Sequence, residues 1–301
     1  MEIKTYLNEQ RLVVESGLER YMLTAEGEHS TFAGHIEAMR YSLFAGGKRI
    51  RPILCLAAAQ AIGNRPEPDT ELLPIACALE CIHTYSLIHD DLPAMDNDAL
   101  RRGKPTNHTL YGEAGAILAG DGLLTWAFDL LSDSKESTLP PEKRLAIIHL
   151  IARAAGSLGM VGGQELDIAN ENKPFPFETL RAIHRSKTGA LITASILAGA
   201  IAAGADQAQQ EALTRYGEQI GLAFQIVDDL LNVTATTEQL GKAAGSDAGR
   251  GKATYPAFFG IEATREKARA AVAEAVSALV IFDEKADHLR ALAEYIYNRS
   301  H

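Results

Sequence analysis

Two pairs of adjacent aspartates, Asp90-Asp91 and Asp228-Asp229, lie within apolar runs. Tyr85-Ser86-Leu87-Ile88 leads into the first pair, and Phe224-Gln225-Ile226-Val227 and Leu230-Leu231 flank the second. Ionised carboxylates that close to a core need counter-charges, because an unpaired buried charge is strongly disfavoured. Asp96 and Asp98 follow the first pair, giving four carboxylates in nine residues, and Arg101, Arg102 and Lys104 come at once after them. Carboxylates suit a hard cation such as Mg²⁺, which takes one or two of them and completes its shell with phosphate oxygens. Arginines beside such a cation can grip the same phosphates bidentately. Taken alone, the first stretch also fits an acidic helix end running into a charged loop. Two acid pairs on two otherwise apolar segments are harder to read as surface decoration.

The rest of the chain reads as helix. It is 47% hydrophobic but only 6% aromatic, and rich in Ala and Leu, which favours helices over strands. Ile3, Leu7, Val14, Leu18 and Tyr21 recur at helical spacing. Further helices are expected over about 32–44, 53–62 (with Pro52 as the first helical residue), 72–91, 112–131, 145–170 with an interruption at Gly162-Gly163, 179–204, 207–233, 257–282 and 287–298. The glycine-rich stretch 236–252 reads as a loop. No strand alternation and no internal repeat is evident. The expected fold is all-α, a single domain over 1–301 of long packed helices.

Spacing sets what these helices can present. Asp90 and Asp96 are six residues apart, about 120° from each other on an ideal helix. Both reach one cation only if the helix ends or bends between them, and Pro93 offers a reason. His83 lies two turns before Asp90 on the same face. One face of the second acidic helix can carry Gln225, Asp228, Asp229 and Asn232 together. Gly46-Gly47-Lys48-Arg49-Ile50-Arg51-Pro52 places three cations in a glycine-hinged loop at a helix start, a good anion site that also fits a solvated connection. Lys187-Thr188 lies ahead of an apolar helix, where a lysine can equally snorkel to the surface. Gln164 and Asp167 share a face, with capping or packing as the default role. Lys242, Arg250 and Lys252 lie in the 236–252 loop, which reads as a basic lid or as a plain linker.

The net charge of −10 argues against a nucleic-acid surface. Cys55, Cys77 and Cys81 lie in apolar segments without CxxC spacing, which suggests buried free thiols in a reducing compartment. No apolar run approaches the length of a membrane span, and the N-terminal residues carry no signal-like core. The expected setting is cytoplasmic.

These motifs, in this order, resemble the short-chain trans-isoprenyl diphosphate synthases of the polyprenyl synthetase family, most of all its bacterial farnesyl diphosphate branch. The elements are Gly47-Lys48-Arg49-Ile50-Arg51-Pro52, Asp90-Asp91-x-x-x-x-Asp96 with Arg101-Arg102, Gly163-Gln164-x-x-Asp167, Lys187-Thr188-Gly189, Gln225-x-x-Asp228-Asp229 and Gly251-Lys252-Ala253-Thr254-Tyr255-Pro256. The resemblance implies condensation of isopentenyl diphosphate with allylic diphosphates. Asp90, Asp91 and Asp96 would hold two Mg²⁺, and Asp228 a third, with Asp229 alongside; Mn²⁺ can substitute. Arg101, Lys187, Thr188, Gln225, Lys242 and Lys252 would bind the allylic diphosphate, and Lys48, Arg51, His83 and Arg102, on the Gly47 loop and beside it, the isopentenyl diphosphate. Lys187 would also take part in catalysis. Neutralising the diphosphate lets the C1–O bond ionise, and the departing diphosphate takes the final proton. Tyr85, five residues or about 7.5 Å before Asp90, with Ser86 beside it and the Pro93-Ala94 insertion, resembles the pattern that stops at fifteen carbons. Tyr85 as a simple core residue is the alternative. Asn232 stands where the family usually has an aspartate, which removes a charge near the third metal. A homodimer is implied. Rival readings are a geranylgeranyl diphosphate synthase, a class I terpene cyclase and a non-catalytic partner subunit. Against the cyclase, Asn232 and Thr236 replace the Ser/Thr and Glu of its second metal motif.

Overall fold

The computed structural model describes residues 2–63, 71–135, 137–234 and 253–298. Contacts divide the chain into two compact units, one of residues 7–53 and 67–139, the other of residues 1–6, 54–66 and 140–301. The architecture is all-α, as expected.

In the first unit, α2 (Ala33–Leu43) and α4 (Leu73–Asp90) pack with α5 (Asn107–Ser132), and α1 (Ile3–Tyr21) meets α4 where Gly17 faces Leu73 and Cys77. α3 (Ile50–Ile62) begins here, so Pro52 is its third residue and not its first. That still lies in the first turn, where the missing N–H costs no helical bond. Val14, Leu18, Ile36, Met39, Leu43, Leu79, Ile82 and Leu123 are almost wholly buried and form the core. The expectation of no strand is corrected by a small antiparallel hairpin, β1 (Leu100–Arg101) and β2 (Lys104–Pro105). Its two turn residues, Arg102 and Gly103, both have positive φ, 54° and 74°, the conformation of a tight hairpin turn.

In the second unit, α10 (Gln207–Thr234) packs on α9 (Ala190–Ala202) and on α12 (Ile261–Ala278), and α6 (Pro141–Ala155) packs on α9. The helix expected over 145–170 breaks at Gly156–Gly159, giving α6 and α7 (Met160–Ala169); Gly162-Gly163 stays helical. The helix expected over 179–204 is α8 (Phe177–Ile183), a π-helical turn His184–Gly189, then α9. A π turn inside a helix commonly marks a functional site. α11 (Tyr255–Phe259) is set off from α12 by Gly260, and α13 (Asp287–Asn298) closes the described chain.

Two stretches, 107–132 and 141–169, reach the length and mean hydropathy of a membrane span, which the sequence reading did not single out, but both are only weakly apolar. Within the fold α5 lies on α4, and α6 on α9.

Candidate active site

In the first unit the helix ends where the chemistry requires. α4 stops at Asp90, and the chain turns back so that the Asp96 N–H donates to the Asp90 carbonyl at 2.8 Å. Pro93 thus falls in the turn after the helix rather than kinking it. The reversal brings Asp90 and Asp96 side by side, both half-buried. Asp91 has a different environment. It is 3% exposed and accepts from Arg101, Nε to both carboxylate oxygens at 2.8 Å and Nη2 to Oδ1 at 2.6 Å. Burial pushes the Asp91 carboxyl up, and the Arg101 guanidinium pulls against that shift. Asp91 is therefore the anchor of Arg101.

The hairpin splits the arginine pair. Arg101 turns to Asp91, whereas Arg102 donates to the Gly46 carbonyl. The Arg102 guanidinium fills the place a Cβ on Gly47 would occupy, within 2.7–2.9 Å of it. Gly47 is needed there for that close approach and for its φ of 146°. Next to it, Arg49 (φ 51°) is buried and donates to Glu80 Oε1 at 2.7 Å and the Leu43 carbonyl at 2.8 Å. Lys48 is exposed and Arg51 half-buried on either side of it. His83 belongs to the same cluster: burial first, then Arg51, Arg102, Arg101 and Arg49, hold its pKa well below the usual range. A neutral imidazole among these guanidiniums leaves the positive charge to the arginines. Lys48, Arg51, His83 and Arg102, expected to act together, thus belong to one unit.

Tyr85 is 6% exposed, and its ring meets His89 edge-on at 5.5 Å and 87°. Burial, then Asp90 and Asp121, raise the phenol pKa, so the hydroxyl keeps its proton. Ser86 Oγ donates to the His83 carbonyl at 2.8 Å within the helix.

In the second unit the π turn carries Lys187 and Thr188. Lys187 Nζ donates to Asp167 Oδ2 at 2.8 Å, so the Gln164–Asp167 face of α7 is the lysine's partner. A Cβ on Gly163 would run into the Lys187 backbone nitrogen and lie 2.7 Å from the Lys187 Cα; only glycine lets the two elements approach so closely. On α10, Asp228 is exposed and Gln225 half-buried, but Asp229 and Asn232 are 5% and 4% exposed. The expected single face is thereby corrected: the pair divides, one acid outward and one inward, because adjacent helical residues are about 100° apart. Asp229 Oδ2 accepts the Tyr255 N–H at 2.8 Å, and His184 Nε2 stands 4.0 Å from Oδ1. Lys242 and Lys252, with the rest of the expected basic lid, lie outside the described residues.

Among the described residues, no group of three or more His, Cys, Asp or Glu side chains is gathered as a metal cage. The paired Asp90 and Asp96 fit an ion that takes only one or two carboxylates and draws its other ligands from phosphate and water.

Residues 35–295 match the polyprenyl synthetase family. The chain belongs to it. This polyprenyl synthetase is a prenyltransferase. It is 50% identical over 267 residues to the farnesyl diphosphate synthase of Geobacillus stearothermophilus, covering 89% of this chain and 88% of that one. It is 48% identical over 297 residues to the geranylgeranyl diphosphate synthase of Cyanophora paradoxa, covering 98% and 96%. Among solved structures, an FPP/GFPP synthase from Zymomonas mobilis superposes with a TM-score of 0.86 at 39% identity, covering 98% of both chains. Sequence reasoning about this synthetase missed Glu80 and His184, and took Tyr255 only as part of the Gly251–Pro256 motif without a role of its own. Glu80 had a signal, a carboxylate inside the apolar run of α4. His184, three before Lys187, had only its place in a helix whose π turn leaves no mark in the residue pattern.

Proposed function

We propose that this prenyltransferase condenses isopentenyl diphosphate with dimethylallyl and then geranyl diphosphate, head to tail, and releases farnesyl diphosphate. The observation that carries the two-substrate reading is the divergence of Arg101 and Arg102. Two neighbouring guanidiniums, one anchored by an acid beside the metal-type aspartates and the other on the Lys48–Arg51 loop, suit two separate diphosphates. A cyclase has one diphosphate to hold.

Asp90, Asp96 and Asp228 are the proposed Mg²⁺ ligands, with Asp91 bearing on them through Arg101. Bound Mg²⁺ neutralises the allylic diphosphate and makes it a competent leaving group. Arg101, Lys187, Thr188 and Gln225 are proposed to hold that diphosphate, and Lys48, Arg51, His83 and Arg102 that of isopentenyl diphosphate. Fixed cations aimed at the charge that develops as C1–O breaks need no reorganisation during the step. The allylic cation then meets the isopentenyl double bond only if both are held close and dry. Tyr85 is proposed as the floor against the growing tail.

A homodimer is proposed from the family, supported by the exposed neighbouring apolar side chains Ile117 and Leu118 on α5, 43% and 57% exposed. The buried free thiols Cys55, Cys77 and Cys81 support the proposed cytoplasmic setting. A geranylgeranyl diphosphate product is the second reading, favoured by the likeness to the Cyanophora enzyme.

The test is incubation with Mg²⁺, isopentenyl diphosphate and, separately, C5, C10 and C15 allylic primers, with the dephosphorylated alcohols identified by mass. Farnesol from C5 and C10, with the C15 primer inert, is the expected result. Geranylgeraniol would move the assignment to the second reading. Cyclic hydrocarbons would indicate a cyclase, and no product from folded protein a partner subunit.

A further inference from the structure

Three segments of the second unit meet at one buried point. His184 opens the π turn that carries Lys187, Asp229 follows Asp228 on α10, and Tyr255 begins α11. His184 is 7% exposed, Asp229 5% and Tyr255 3%. The imidazole stacks on the Tyr255 ring, centroids 5.6 Å apart and planes 17° apart. Its Nε2 faces Asp229 Oδ1 at 4.0 Å, and the other oxygen of that carboxylate accepts the Tyr255 N–H at 2.8 Å. Phe177 closes the stack edge-on to Tyr255 at 5.2 Å, and Tyr255 belongs to one buried apolar cluster with Leu180, Ile226, Val227 and Leu230.

A carboxylate occupied this way is badly placed to ligate a cation. One oxygen is committed to a backbone N–H, and the group is buried while Asp228 is exposed. The inward acid also holds the fold together, because its bond to the Tyr255 N–H ties α10 to the start of α11. His184 extends that tie to the π turn, whose far end holds Lys187 against Asp167.

We infer that His184 and Asp229 are positioning residues: with Tyr255 they lock the Asp228 end of α10 to the Lys187 turn, and Asp229 is not itself a metal ligand. This rests on the prenyltransferase reading for its kinetic consequence, but the lock itself is a geometric claim. Its loss would let Lys187 and Asp228 drift relative to each other, and misplacement by about 1 Å can cost about a hundredfold in rate. Binding of isopentenyl diphosphate, assigned to the other unit's cations, should not change.

The experiment compares wild type with Asp229→Asn, Asp229→Leu, His184→Phe and His184→Leu. Amide hydrogen exchange at Tyr255 reads the lock without any substrate. Asp229→Asn keeps an oxygen acceptor and should keep the Tyr255 amide protected; Asp229→Leu should lose that protection, and His184→Leu should weaken it. His184→Phe keeps the stack and guards against misfolding of the leucine variants. In steady-state assays, Asp229→Asn should retain turnover within about tenfold and the wild-type Mg²⁺ dependence. Asp229→Leu and His184→Leu should lose roughly ten- to a hundredfold in kcat, with a raised KM for the allylic diphosphate and an unchanged KM for isopentenyl diphosphate. An unprotected Tyr255 amide in the wild type, or protection unchanged in Asp229→Leu, would overturn the lock. A Mg²⁺ requirement in Asp229→Asn raised as far as in Asp228→Asn would make Asp229 a ligand. A wild type with the protected amide but no prenyl product would leave the lock standing and remove the functional reading instead.

Discussion

Arg49 and Glu80 form an ion pair at 2.7 Å in which each side chain is only 1% exposed. The pair ties the left-handed Arg49 to α4, and Lys48 and Arg51 flank that residue. Glu80→Ala would strand a guanidinium in the core, with the neutral Leu43 carbonyl in place of a counter-charge. Removing one member of a buried pair costs about 3–5 kcal/mol. Urea unfolding should show a loss of that size for Glu80→Ala. A double change, Arg49→Met with Glu80→Leu, should recover much of it, because an apolar pair needs no counter-charge.

Asp91 and Arg101 make a second fork, nearer to water, as Arg101 is about one-third exposed. Arg101→Lys keeps the charge but loses the planar bidentate geometry. We expect turnover to fall about tenfold or more with a higher KM for the allylic diphosphate, because two parallel bonds fix the direction of the guanidinium and one ammonium does not. Asp91→Ala should do the same and also lower stability by about 2 kcal/mol, the scale of a hydrogen bond to a charged group. Steady-state kinetics and thermal melting separate the two effects.

Much of the fold and of the site is legible in the residues themselves. Tyr21, Ile62 and Asn298 end helices where apolar periodicity predicts, and the reversal between Asp90 and Asp96 follows from their six-residue spacing. Three things are hidden. Arg102-Gly103 forms a two-residue hairpin turn, but two-residue strands carry no alternation to read. The π turn at His184–Gly189 shifts register by one residue, which periodicity over a long apolar helix cannot resolve. The inward turn of Asp229 depends on the Tyr255 N–H, 26 residues further on, and nothing local announces a side chain-to-backbone bond of that range.

Gly163→Ala should damage activity more than a helix-propensity scale suggests. On propensity alone, alanine in place of a helical glycine stabilises by about 1 kcal/mol. Here the new Cβ would collide with the Lys187 nitrogen and stand 2.7 Å from its Cα. Backbone cannot rotate aside as a side chain can, so α7 and the π turn must separate, and the Lys187–Asp167 bond is strained. The expected result is a lower melting temperature and a loss of turnover of about tenfold or more. A stabilised, fully active variant would show that the two elements tolerate separation.

The thiols predict alkaline behaviour. Burial pushes Cys55 and Cys81 up to about 12. The unfolded chain releases those protons near pH 9 while the folded chain retains them, so the folded state binds more protons between those values. Stability is then fully present below about pH 9 and falls as pH rises toward 12, by roughly 1.4 kcal/mol per pH unit for each thiol. Urea midpoints measured from pH 7.5 to 10 should decline above 9. A Cys55→Ala, Cys81→Ala variant should show a shallower decline, and at pH 8 the native thiols should react with a disulfide reagent far more slowly than after unfolding.

Tyr85 and His89 together should govern product length. The Tyr85 ring is held edge-on by His89, whose Nε2 is itself fixed 3.0 Å from the Ile117 carbonyl on α5. A floor made of one buried ring is only as firm as the contact behind it, because a tail pushing on an unsupported aromatic can swing it to another rotamer. Tyr85→Ala removes the ring, and we expect the main alcohol after dephosphorylation to shift from C15 to C20 or longer. His89→Ala leaves the ring but removes its brace, so a mixture of C15 and C20 is expected. His89 lies beside Asp90, so the ratio of products, rather than the rate, is the quantity to follow. A C15 product unchanged in both variants would place the stop elsewhere and reduce Tyr85 to a core residue. A shift with Tyr85→Ala alone would keep the floor and show that it stands without His89.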